Sequence, residues 1–187
     1  MAMLSTMLPL GTRAPAFALP DTVSGKTKSL DALKGAKGTV VMFICNHCPY
    51  VKHINAELVR VARDYQRRGV AFIAISSNDV ASHPEDGPTQ MREAAHKLGY
   101  PFPYLHDESQ EVAKAYQAAC TPDLYVFDPQ PSLVYRGQFD DSRPKSGKGA
   151  NGRDLRHALD AVIEGQPVSP DQKPSVGCNI KWKGTRL

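Results

Sequence analysis

The feature that most limits what this chain can fold into is a change of periodicity around a pair of cysteines. Thr39-Val40-Val41-Met42-Phe43-Ile44 is an unbroken apolar, β-branched run, and Cys45-Asn46-His47-Cys48 follows at once. Such a run reads as a strand buried on both faces, inside a parallel or mixed sheet. From Pro49 the spacing becomes helical. Val51, Ile54, Leu58, Val61, Ala62 and Tyr65 share one stripe, and Lys52, Glu57, Arg60, Arg63 and Arg67 lie opposite. Gly69 ends that helix, and Val70 to Ser76 reads as a second buried strand. The three elements make a βαβ unit, expected to be right-handed with parallel strands.

The flanking segments complete an α/β reading. Ala16–Leu19 and Thr27–Leu30 suggest a short N-terminal hairpin. Asn78 to Pro88 is a polar loop, Thr89 to Leu98 a helix closed by Gly99, and Tyr100 to Leu105 extended at best, since its prolines exclude it from a sheet interior. Ser109 is expected to cap a helix from Gln110 to about Ala119. Leu124–Asp128 and Leu133–Gln138 read as an antiparallel hairpin. Asp140 to Gly152 reads as a mobile surface loop, and Leu155 to Ile163 as a last amphipathic helix stopped by Gly165. The expected division is one domain over 10–165 and a tail over 166–187 that persists only by docking on it, with Trp182 as anchor.

The chemistry follows from where the cysteines sit. A helix N-terminus presents unpaired N–H groups and partial positive charge, which stabilise a thiolate and lower its pKa from about 8.5. On this ground Cys45 is expected to be the nucleophile. Cys48, one turn on, is expected to resolve any mixed disulfide that Cys45 forms. Pro49 is tolerated because the first turn needs no N–H donor there.

Together with Thr121-Pro122 just before a strand, Cys45-Asn46-His47-Cys48 resembles the thioredoxin fold, whose members carry a cis-proline loop facing the cysteine pair. The N-terminal hairpin, the long insertion after strand 70–76 and the Cys-Asn-His-Cys-Pro-Tyr-Val-Lys run resemble one group more closely. These are the peroxiredoxin-like proteins of the alkyl hydroperoxide reductase/thiol-specific antioxidant (redoxin) superfamily. The likeness runs from about Leu10 to Lys183 and includes Gly177-Cys178-Asn179-Ile180-Lys181-Trp182. It implies a thioredoxin-like central mixed sheet with flanking helices, and a cis Pro122 lining, with Thr121, the groove that receives a substrate disulfide. One departure matters. Peroxiredoxins of the usual kind place Pro-x-x-x-Thr-x-x-Cys around the peroxidatic cysteine. Here the corresponding positions are Gly38 and Met42 for Cys45, or Val41 and Cys45 for Cys48. The family therefore says peroxidase while the local residues say disulfide exchange. His47 resembles the histidine found there in protein disulfide isomerase and the bacterial periplasmic oxidases. It is expected to stabilise the reduced thiolate and to move the potential toward about −180 to −120 mV from about −270 mV.

The expected function is thiol–disulfide exchange through a redox-active disulfide, with no other cofactor and no metal. Two alternatives stay open: a thiol peroxidase with Cys45 oxidised to a sulfenic acid, and a zinc- or partner-binding module with ligands drawn from Cys45, Cys48, His47, His53 and Cys178. Cys120 and Cys178 are candidate additional redox thiols, each with a bland reading as a small buried or spare cysteine. Asn78 and Asp79 follow a strand's C-terminal end and border the site if they are more than turn chemistry. Lys52 and the Asp140-Asp141-Ser142-Arg143 run are adequately explained as surface. Expected partners are protein or small-molecule disulfides and thiols, peroxides under the second reading, and an unknown reductant. A net charge of +4 without a basic stripe argues against nucleic acid, and no stretch approaches the length of a membrane span. The mildly apolar first ten residues lack a basic leader pattern, so the expected location is the cytoplasm.

Overall fold

The computed structural model describes residues 2–184. Its elements in chain order are β1 (Ala2–Leu4), β2 (Ala18–Pro20), β3 (Thr27–Ser29), α1 (Leu30–Leu33), β4 (Gly38–Phe43), α2 (Pro49–Gln66), β5 (Val70–Ser76), α3 (Pro88–Leu98), β6 (Tyr104–His106), α4 (Glu111–Ala115), β7 (Cys120–Thr121), β8 (Asp123–Phe127), β9 (Leu133–Gly137), α5 (Arg153–Ile163) and β10 (Val176–Asn179). The central sheet runs β6-β5-β4-β8-β9, with β4, β5 and β6 parallel and β8 and β9 antiparallel.

Strand β4 is buried along its whole length because both of its faces are covered. Successive side chains point to opposite sides of a sheet. Val40 and Met42 accordingly pack with α2, α3 and α5, through Leu58, Met91 and Leu159 among others. Val41 and Phe43 pack on the other side with Phe17, Leu30, Ala113 and Tyr116. Each large side chain buried in these two layers contributes about 1.5–3 kcal/mol. The strand is thereby fixed, and so is the point where Cys45 leaves it.

Several expectations need correction. The helix expected over 110–119 is only Glu111–Ala115, and its N-cap position is Gln110 rather than Ser109, whose hydroxyl still accepts the Glu111 N–H at 3.3 Å. Gln110 stands at the cap in a left-handed conformation (φ 65°), and the buried Asp107 carboxylate accepts the Ala113 N–H at 2.9 Å. With the helix shortened, Cys120 belongs to a strand rather than a helix end. Tyr104–His106 pairs with β5, though only as the short edge strand that its prolines allow. The segment 140–152 is no simple surface loop. Asp140 is buried, and its carboxylate accepts the N–H groups of Ser142, Asn151 and Gly152.

The tail docks as an antiparallel strand. A second sheet, β1-β10-β7, joins both ends of the chain to the segment before Pro122. Ile180 is buried, and Trp182 packs on the same side of the central sheet. Strand β1 had no signal in the sequence. Its three residues are exposed, so no apolar alternation marks them, and only backbone pairing holds them.

Candidate active site

The Thr121–Pro122 peptide is cis, as the resemblance implied. It brings Thr121 over the start of α2. Thr121 Oγ1 lies 3.3 Å from Cys45 Sγ, and the Thr121 carbonyl oxygen 3.1 Å from Cys48 Sγ. The sequence thus lacks the hydroxyl near Cys45 in its motif, and the fold supplies one from 76 residues away.

The two thiols do not behave as the helix start alone suggested. Helix α2 begins at Pro49, so its N-cap is Cys48 and not Cys45. Hydrogen bonding from the Cys45 thiol lowers the Cys48 pKa, against the cost of burial, with further help from Cys178 and the Val51 N–H. That same hydrogen bond raises the Cys45 thiol, and burial and the Asp86 carboxylate add to the effect. The direction is thus downward at Cys48 and upward at Cys45, and the Cys48 thiol donates to the Thr121 carbonyl oxygen. Both sulfurs are enclosed: Cys45 is 1% exposed and Cys48 0%.

His47 is also placed differently from expectation. Its Nδ1–H donates to Asp86 Oδ2 at 2.6 Å, while Cys45 Sγ lies 3.8 Å from the same nitrogen. The Asp86 hydrogen bond raises the His47 pKa. The Nδ1 proton therefore points at a carboxylate rather than at a sulfur. Asp86 also accepts the backbone N–H groups of Asn46 at 2.7 Å and His47 at 3.3 Å, and the Asn78 side-chain amide at 2.8 Å. Burial opposes its ionisation, but these partners more than compensate and hold its pKa below the usual carboxylate value. Asp86 is the functional residue that sequence reasoning missed. It lies in a polar loop 38 positions downstream of Cys48, and only the short 3₁₀ turn over Pro84–Asp86 turns it inward.

The other candidates separate clearly. Asn78 is buried and joins the network, accepting the Lys181 N–H of the tail at 2.9 Å. Asp79 is turn chemistry, accepting the Ala81 N–H and the Ser82 hydroxyl. Cys120 is buried with the Pro122 carbonyl as partner at 3.6 Å, and burial pushes its thiol well up. Cys178 meets the pair directly: its Sγ is 2.9 Å from Cys48 Sγ. Lys52 lines a cleft of about 190 Å³ beside Asn46, Asn55, Lys97 and Tyr100.

For a metal, the nearest donor set among the described residues is Cys45, His47 and Asp86, with ligand atoms within 4.8 Å of one another. A cation there would displace the proton that His47 and Asp86 share. His53, the other imidazole considered, is hydrogen-bonded to Ser142.

Two residues around this centre give direct tests. Gly177 in β10 lies so close to the cis peptide that an added Cβ would fall 2.0 Å from the Thr121 carbonyl oxygen. Gly177→Ala is expected to push the tail off β7 and cost about 1–3 kcal/mol, read by urea unfolding. Asp123, directly after Pro122, is buried, and burial pushes its pKa up to about 7. The folded state then holds this proton more tightly than the unfolded chain, so stability falls as pH rises from about 3.9 through about 7. Asp123→Asn is expected to gain on the wild type by at least about 1 kcal/mol between about pH 5 and pH 8. Equal slopes for the two proteins would contradict this.

Comparisons with known proteins agree with this architecture. The chain is 56% identical to an uncharacterized conserved protein from Geobacillus kaustophilus, with a TM-score of 0.97 over 100% of this chain and 98% of that one. A hypothetical protein from Sinorhizobium meliloti is 47% identical, with a TM-score of 0.94 over 97% and 99% of the two chains. The thioredoxin domain of a thiol-disulfide oxidoreductase from Bacteroides vulgatus shares the fold at 19% identity, with a TM-score of 0.59 over 73% and 90%. No curated protein matches the chain. Among the described residues no helix is long and apolar enough to cross a membrane. Residues 10–136 match the model of the AhpC/TSA family, and with that match over a thioredoxin-like sheet and a cis-proline loop the chain belongs to that family.

Proposed function

We propose that this protein is a thiol–disulfide oxidoreductase whose Cys45–Cys48 pair cycles between dithiol and disulfide. The observation that carries this is the geometry of the pair: two buried thiols at one strand–helix junction face the cis-proline loop, with Cys45 Sγ 3.3 Å from Thr121 Oγ1 and Cys48 Sγ 3.1 Å from the Thr121 carbonyl oxygen. In the reducing direction a thiolate of the pair attacks a substrate disulfide and releases one half of it as a thiolate. The other cysteine then attacks the mixed disulfide, closes the Cys45–Cys48 bond and releases the second half. The lowered Cys48 pKa and raised Cys45 pKa favour Cys48 as the attacking sulfur in this reading, where the sequence favoured Cys45.

Catalysed reduction of insulin by dithiothreitol tests the reading. Acceleration over the protein-free rate is expected, and an unchanged rate refutes it.

One observation favours a peroxidase as the second reading, namely the Thr121 hydroxyl beside Cys45. Against it, Asp86 disfavours the Cys45 thiolate that a peroxide needs. Rapid peroxide consumption by the reduced protein, lost in Cys45→Ser, would move the assignment to that reading.

A further inference from the structure

The enclosed pair needs a route to the outside, and the tail provides a third sulfur. Cys45 and Cys48 are no more than 1% exposed, whereas Cys178 is partly exposed. Cys48 is the sulfur common to both contacts: it is hydrogen-bonded to Cys45 and lies 2.9 Å from Cys178 Sγ, against about 2.05 Å for a covalent S–S bond. The placement of Cys178 is fixed by the fold. It sits opposite Thr121 in the β10–β7 pairing, and Gly177 lets that strand approach the cis peptide. Beyond it, the Lys181 N–H donates to Asn78, the Ile180 N–H to the Ala119 carbonyl and the Lys183 N–H to Gln110.

We propose that Cys178 is a relay thiol, which exchanges electrons between the buried Cys45–Cys48 pair and external thiols or disulfides through an alternative Cys48–Cys178 disulfide. The proposal rests on the exchange activity above. Starting from the Cys45–Cys48 disulfide, the Cys178 thiolate attacks Cys48 Sγ. The Cys48–Cys178 bond forms, the Cys45–Cys48 bond breaks, and Cys45 leaves as a thiolate that takes up the proton lost by Cys178. An external thiolate then attacks Cys178 Sγ, and Cys48 leaves as the second thiolate. A second external thiol attacks the external sulfur of that mixed disulfide, releasing an external disulfide and free Cys178. Two external thiols are oxidised and one protein disulfide is reduced; the reverse sequence oxidises the pair. Asn78, which holds both Asp86 and the tail, is the positioning residue that ties Cys178 to the site.

The test uses the full chain equilibrated with glutathione and glutathione disulfide, quenched in acid, alkylated and mapped by peptide mass spectrometry. In Cys45→Ser a Cys48–Cys178 disulfide is expected, and its absence at every poise overturns the proposal. In Cys178→Ser the Cys45–Cys48 disulfide still forms, but its reduction by glutathione is expected to slow at least tenfold. A tail merely loosened by the substitution would uncover the pair and speed that reduction. An unchanged or faster rate in Cys178→Ser therefore also overturns the relay, and Cys178→Ala repeats the measurement with a different side chain. If the wild type forms no Cys45–Cys48 disulfide, the exchange reading fails first and the relay with it. If that disulfide forms and Cys178→Ser reacts as the wild type does, the relay alone fails.

Discussion

Replacing Cys48 by alanine is expected to reduce disulfide exchange to the uncatalysed rate while leaving the fold in place. Cys48 is the sulfur on which the site converges. It receives the Cys45 hydrogen bond, caps α2, and lies within 3.1 Å of both Thr121 O and Cys178 Sγ. Without it neither Cys45 nor Cys178 has a partner sulfur in hydrogen-bond contact, so a mixed disulfide formed at either position cannot be resolved within the protein. The structural cost is small. Alanine removes one buried sulfur, at about 1–2 kcal/mol against the two packed layers around β4, and the helix start is kept because the Cys48 side chain makes no capping hydrogen bond. Insulin reduction measures the first effect and urea unfolding the second. Turnover within a few-fold of wild type in Cys48→Ala would mean that the pair is not the working centre.

The second large effect is expected at Asp86. This carboxylate accepts four hydrogen bonds, two from the backbone of the cysteine loop and one each from His47 and Asn78. Asp86→Ala leaves those donors unmatched in a buried site and is expected to cost about 2–4 kcal/mol. It also removes the negative charge that raises Cys45, so the Cys45 thiol is expected to titrate at lower pH than in the wild type, followed by thiolate absorbance.

The pH dependence has a definite sign. His47 has a raised pKa in the folded state, so its contribution is fully present below about 6.5 and is lost as pH rises through the folded value. Asp86 has a lowered pKa, so its contribution is present above about 3.9 and is lost as pH falls through the folded value. The stability gap between wild type and Asp86→Ala is expected to be widest between these limits. A gap that does not change with pH would contradict the ion pair.

The strand–helix–strand unit around Cys45 was legible because each of its signals is local. The run 39–44 is apolar on both faces, the stripe from Val51 to Tyr65 has helical spacing, and both segments appear where their patterns put them. The short helix at 111–115 was overread, since the left-handed Gln110 and the Asp107 side chain that start it leave no periodic trace. The site was half legible. Its cysteines and cis-proline loop are motif residues, but Asp86, the Thr121 hydroxyl and the docked Cys178 reach it through loops and backbone pairing. Those contacts obey no spacing rule. His47 shows the consequence: adjacency to the cysteines suggested a thiolate partner, and a carboxylate distant in sequence takes its proton instead.

The most direct test of the central claim is a redox titration of the wild-type chain in glutathione buffers, with alkylation of each cysteine quantified by mass spectrometry. The account predicts that Cys45 and Cys48 lose alkylation together in one two-electron transition, with the disulfide-linked peptide appearing in step. Cys45 and Cys48 that remain alkylated at every oxidising poise would contradict it.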